Sequence, residues 1–182
     1  MKSRTIALMS ALLLNSACQQ ADETANVAAD PASAAEQSNA SPVERGKYIT
    51  TTMGCVDCHN VGSFSPKPDE GHLQGGTIGF DMPGMGVFYP PNLTPDPEAG
   101  IGKWSEQDIA TALRTGKRPD GRVLAPIMPW RNYSILTDDD TKAIVAYLKS
   151  LPPSPHKVPP PSAKESAPQP YLTVAPPAKP AG

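Results

Sequence analysis

Cys55-Val56-Asp57-Cys58-His59 decides how the rest of the chain is read. Two thiols three positions apart share one turn of helix. There each can add to one of the two vinyl groups along one edge of a porphyrin. The imidazole of the next residue then lies beneath the ring as a ligand to the iron. C-x-x-C alone would serve a redox dithiol or half of a zinc site. The adjacent His weakens the first reading. In a sequence with three Cys, no second Cys pair is present to complete the second. One covalently attached haem c is the expected cofactor, with Cys55 and Cys58 as its attachment points and His59 as its first axial ligand.

Upstream, Lys2 and Arg4 form a charged head, residues 6–14 an apolar run, and Ser16-Ala17 a small-residue pair before Cys18. Residues 1–17 therefore read as a secretory signal, with an apolar run too short to span a bilayer. Asn15-Ser16-Ala17-Cys18 resembles the lipobox of bacterial lipoproteins, in which the Cys becomes the lipid-modified first residue. It departs from that pattern at Asn15, where Leu is usual, and a plain secreted protein cut nearby is the alternative. Lipidation of Cys18 also accounts for a third thiol in an oxidising compartment. Residues 18–41, poor in large apolar side chains, are expected to be a lipid-anchored flexible linker. From Pro152 the chain is dominated by Pro, Ala, Ser and Lys, so residues 152–182 are expected as an extended, disordered tail.

Between these lies one domain, residues 42–151. Its protein core alone is modest, and an apolar macrocycle at its centre would supply the missing buried surface. Aromatic residues at only 5% fit a core made partly of haem. A net charge of -2 argues against nucleic acid as a partner. Three helices carry caps. The first starts at Ser41-Pro42-Val43-Glu44 and is expected to run into the Cys motif, with Val43, Gly46, Ile49 and Met53 at helical spacing. The second starts at Ser105, puts Ile109, Ala112 and Leu113 on one face and stops at Gly116. The third follows Thr137, with three Asp in its first turn and a stripe of Ile144, Tyr147, Leu148 and Leu151. No period-2 run appears, so no sheet is expected and the fold class reads as all-α.

These residues together resemble class I cytochrome c. Gly46 and Tyr48 before the motif, with residues 144–149 near the domain's end, are similar to that family's crossing terminal helices, in which a Gly lets an aromatic of the last helix approach. Here Gly46 and Tyr147 match. Pro91-Asn92-Leu93 resembles the family's Pro-Asn-Leu, which implies that the Pro91 carbonyl accepts the hydrogen bond of the proximal His. It lies farther beyond the motif than in short cytochromes, so residues 61–89 look like an insertion. Residues 92–96 and 100–104, Ala112-Leu113-Arg114, Asp120-Gly121-Arg122 and Met128-Pro129-Trp130 with Tyr133 are more similar still to the mono-haem cytochrome c domains and subunits that serve periplasmic dehydrogenases. The likeness covers about residues 42–152.

The resemblance implies a class I fold of three or more helices around the covalent haem, with long loops. It places the sixth ligand at Met128, between the second and third helices and stiffened by Pro126 and Pro129. A thioether there favours ferrous iron. Met82 and Met85 compete for that position, and His72 could make a bis-His site. Met53 reads as core filler, and His156 lies too far into the tail. Trp104 and Arg118 are candidates for the haem propionates.

The implied function is single-electron transfer in the periplasm, from a dehydrogenase towards the respiratory chain, without catalysis by this chain. Its partners would be redox proteins (a dehydrogenase donor and an oxidase or other cytochrome as acceptor), plus a membrane reached through the lipid. The chain is expected on the periplasmic face of a bacterial membrane. Gln19, rather than Asp, after Cys18 favours the outer one. The alternative is a haem domain with an open or labile sixth position, acting as a gas- or ligand-binding module or a peroxidase-like enzyme. A haem peroxidase would call for a second C-x-x-C-H.

Overall fold

A computed structural model describes residues 40–173. The expected leader, the linker up to residue 39 and Cys18 lie outside the described residues, as do residues 174–182.

Helix α1, Pro42–Thr52, starts where its capping signals put it. The Ser41 hydroxyl accepts from the Glu44 N–H while the Glu44 carboxylate accepts from the Ser41 N–H, at 3.3 and 2.9 Å. It does not run unbroken into the Cys motif as expected. Gly54 adopts a left-handed backbone, φ 69°, and restarts the chain as the short helix α2, Cys55–His59. Helix α3, Glu106–Thr115, has a capping box of Ser105 and Asp108 and ends at Gly116, also left-handed with φ 71°. A short α4, Trp130–Tyr133, precedes α5, Asp138–Ser150, which Thr137 caps.

The most extensive helix packing is α1 against α5. At their crossing, a Cβ on Gly46 would stand 2.0 Å from the Ala143 carbonyl oxygen and 2.7 Å from the Tyr147 Cβ. Only glycine allows that approach. Arg45 donates to Asp140 at 2.9–3.0 Å across the same contact. Ile49, Ile109, Ile144, Tyr147 and Leu148 are buried in one cluster with Leu73 and Ile101 from the loops. Val43, expected on the buried face of α1, is instead 38% exposed.

The expectation of a wholly helical domain is corrected by a small sheet within residues 61–89 and the tail. Strand β1, Gly79–Met82, pairs antiparallel with β2, Gly86–Phe88, and parallel with β3, Tyr171–Thr173, in the order β2-β1-β3. Strands of three or four residues rich in glycine leave no readable alternation. The tail also differs from expectation. From Ser154 to Thr173 it lies back along the domain, joined to it by hydrogen bonds to Asn92, Gln74 and Val87 and by an ion pair between Lys164 and Asp81. Proline makes such a segment extended, and it lowers the entropy lost when an extended segment docks.

Candidate functional site

Helix α2, the loop through Pro91 and the loop before α4 surround one cavity of about 1000 Å³. This is the upper end of the range for small-molecule sites, about 300–1,000 Å³, and suits a large macrocycle. Cys55, Cys58 and His59 form one part of its wall, and Met128, Trp104 and Pro91 also line it. Apolar side chains from α3 and α5, including Ile109, Leu113, Ile144 and Leu148, supply the floor.

His59 is 5% exposed. Its Nδ1 lies 2.8 Å from the Pro91 carbonyl oxygen. A carbonyl can only accept, so Nδ1 carries the proton and donates. Nε2 is left as the basic nitrogen of an imidazole that lines the cavity. Burial pulls the His59 pKa down, which the bond to Pro91 partly opposes, and a neutral imidazole is the form that ligates metal. The same second-partner device fixes ring orientation in other metal sites.

Burial pushes the Cys55 thiol up to about 11 and that of Cys58 up as well. Neither is in a disulfide. A redox dithiol activates its thiolate by lowering its pKa, whereas burial shifts both of these thiols upwards. Among the described residues no group of three or more His, Cys, Asp or Glu could hold a bare ion. The residues fit haem c: two thiols for its vinyl edge, one oriented imidazole and an apolar enclosure.

Three methionines line the cavity, Met53, Met85 and Met128. Met53 also packs against the core cluster. Met85 is 54% exposed in the turn between β1 and β2. Met128 is half-buried on a backbone pinned on both sides: its N–H donates to Ala125 at 2.9 Å and its carbonyl accepts from Trp130 at 2.8 Å. Met82 does not line the cavity, and neither do His72 and His156. The His72 Nε2 is engaged with the Tyr147 hydroxyl at 2.7 Å, and the His156 Nδ1 donates to the Gln74 carbonyl at 2.7 Å. His59 alone among the three His faces the site.

Trp104 and Arg118 meet at the cavity wall, the guanidinium 5.1 Å from the indole centroid. Arg122 joins them, and Asp120 pairs with both arginines, at 3.3 and 2.8 Å. Burial and the neighbouring Arg122 pull the Arg118 pKa down, so an added carboxylate there would be favourable. Sequence reasoning missed Arg122 as a lining residue, although Asp120-Gly121-Arg122 was visible as a motif. It missed Tyr133, buried on the cavity wall with its hydroxyl pushed up to about 12 by burial. It also missed residues 158–163 of the tail, which line the same cavity.

A family model described as "Cytochrome c" matches residues 43–152. Over 115 residues the chain is 36% identical to a nicotinate dehydrogenase subunit of Pseudomonas putida, covering 63% of this chain and 9% of that protein. Over 114 residues it is 34% identical to the cytochrome c subunit of the quinone alcohol dehydrogenase of Gluconobacter oxydans, covering 63% and 22%. Over 113 residues it is 36% identical to the gluconate 2-dehydrogenase cytochrome c subunit of Pantoea cypripedii, covering 62% and 24%. The chain spans about a quarter or less of the length of these relatives.

Proposed function

Because the chain belongs to the cytochrome c family, we propose that it is a mono-haem electron carrier that accepts single electrons from a dehydrogenase and passes them towards a respiratory chain. Haem iron supplies a reversible ferrous–ferric couple. The rest of the work falls to the chain's own side chains. Cys55 and Cys58 would hold the group by thioether bonds, so that it is not lost in a dilute compartment. The Pro91 carbonyl fixes the proton on His59 Nδ1 and keeps Nε2 directed at the cavity. Met128, on the cavity wall, would offer its thioether as a further ligand to the iron, and such a ligand favours the reduced state. Trp104 and Arg118, which meet at the cavity wall, would hold the propionates. With the His59 imidazole and the Met128 thioether both supplied to the iron, the site would relay electrons and leave no position for a substrate.

The observation that carries this reading is the His59–Pro91 bond beside Cys55 and Cys58 on one cavity. The one C-x-x-C-H in this sequence of three Cys supports a single haem. The dehydrogenase partner is supported by the relatives, each a subunit of a dehydrogenase. Location at the periplasmic face of a membrane, outer membrane preferred, and anchoring through acylated Cys18 rest on the leader and Gln19 alone. An anaerobic redox titration tests the function: a single one-electron wave is expected, with no carbon monoxide adduct forming readily on reduction. A rapid adduct would move the ligand-binding reading ahead of the electron carrier.

A further inference from the structure

The family match ends at residue 152, yet the wall of the cavity includes residues 158–163. This segment runs between two anchors. At the first, the Asn92 side chain, 1% exposed, donates from Nδ2 to the carbonyls of Ser154 and His156 at 2.8 and 3.1 Å. The Ser154 N–H donates to the Thr94 hydroxyl at 3.1 Å, and His156 to the Gln74 carbonyl at 2.7 Å. At the second, Ser162 and Val87 exchange a pair of backbone bonds, 2.8 and 3.2 Å. The Lys164 ammonium then sits 2.6 Å from Asp81, whose side chain is 4% exposed. Between the anchors lie Val158 and three consecutive prolines.

The domain is cut to receive this segment. A Cβ on Gly75 would stand 2.3 Å from a Val158 methyl, and one on Gly86 would stand 2.5 Å from the Ser162 carbonyl oxygen. The first anchor also reaches the axial ligand. Asn92 follows Pro91, whose carbonyl orients His59, and the Gly75 N–H donates to the His59 carbonyl at 2.7 Å.

We propose that residues 154–163 are a strap belonging to the haem site. It closes one side of the cavity with Val158 and the prolines, and through Asn92 it clamps the loop that presents Pro91 to His59. The proposal rests on the haem-carrier reading. Asn92 is a positioning residue, acting through Pro91. An apolar wall keeps water from the iron, and in a drier site the more highly charged ferric state is the less favoured one. The strap therefore raises the potential.

The test compares haem-bearing wild type, a chain ending after Pro153, and Lys164→Glu, which sets a carboxylate against the buried Asp81 and frees the second anchor. In wild type, the amides of Ser162 and Val87 should exchange slowly with deuterium, and Ser154 likewise. Truncation should move the ferrous–ferric equilibrium about tenfold towards ferric, a fall of about 59 mV. Lys164→Glu should lower the potential in the same direction and speed exchange at Ser162. Truncation that leaves the potential unchanged overturns the strap, as does wild-type exchange over 154–163 as fast as in an unstructured peptide. If the truncated chain does not fold, Lys164→Glu decides: a lowered potential together with faster exchange at Ser162 supports the strap, and unchanged exchange, with or without a lowered potential, refutes it. A wild type without covalent haem refutes the carrier reading itself and is told apart before any variant is measured.

Discussion

Gly46→Ala sets two effects of known size against each other. Inside a helix, alanine is favoured over glycine by about 1 kcal/mol, so local propensity predicts a more stable protein. Packing predicts the reverse. The new Cβ would meet the Ala143 carbonyl oxygen at 2.0 Å and the Tyr147 Cβ at 2.7 Å. Reaching ordinary contact distance means parting α1 from α5 by about 1 Å or more, and a gap of that size forfeits roughly a quarter to a half of the dispersion attraction across an interface. Ile49, Ile144, Tyr147 and Leu148 all belong to that buried cluster, and each fully buried side chain of this kind is worth about 1.5–3 kcal/mol. The net expectation is a loss of about 2–3 kcal/mol, or about 10 °C in the midpoint for a domain of this size. Urea and thermal unfolding of the haem-bearing protein, followed by far-UV circular dichroism, read it directly. A variant as stable as wild type or more so would refute the tight crossing of α1 and α5.

Met128→Ala is expected to abolish the weak far-red absorption band of a sulfur–iron bond and to lower the potential, while Met85→Ala leaves the band; absorption spectra of the oxidised proteins decide, and the reverse pattern moves the ligand to the β1–β2 turn. Cys18→Ser should release the protein from membranes, with labelled fatty acid lost from residue 18. Burial raises the Asp140 carboxyl, but the hydrogen bonds from Arg45 and Thr137 and the Arg45 charge outweigh it and hold the pKa below the usual range. A depressed folded pKa gives stability that is present above the unfolded value, about 3.9, and lost as pH falls through the folded one. Asp140→Asn should therefore cost up to about 1 kcal/mol in urea midpoints at pH 6 and almost nothing at pH 2.

Where a local rule acts on adjacent residues, the sequence was readable. Ser41 with Glu44 and Ser105 with Asp108 formed their capping boxes, and Gly116 ended its helix. The cofactor motif was legible because its chemistry demands fixed spacing. Gly54 was not singled out as a break, since a glycine between two helical stretches does not announce its φ. The strands of residues 79–88 were missed because the third partner of their sheet lies more than eighty residues away, in a segment whose composition suggests only solvent. That same composition hid the strap. Prolines report an extended backbone, but docking depends on Asn92, Asp81, Gly75 and Gly86, distant residues that carry no signal of the contact they will make. The placement of a ligand at Met128 rests on resemblance alone, since three methionines line the cavity and spacing does not rank them.

The central claim is a haem held by Cys55 and Cys58, and the most direct measurement is acid–acetone extraction of the denatured chain followed by its intact mass. The account predicts that haem stays with the polypeptide, that the mass exceeds that of the chain by one haem, and that replacing both Cys55 and Cys58 by Ser abolishes the increment. Haem that extracts freely, or a polypeptide of unmodified mass from cells competent to attach haem, would contradict it.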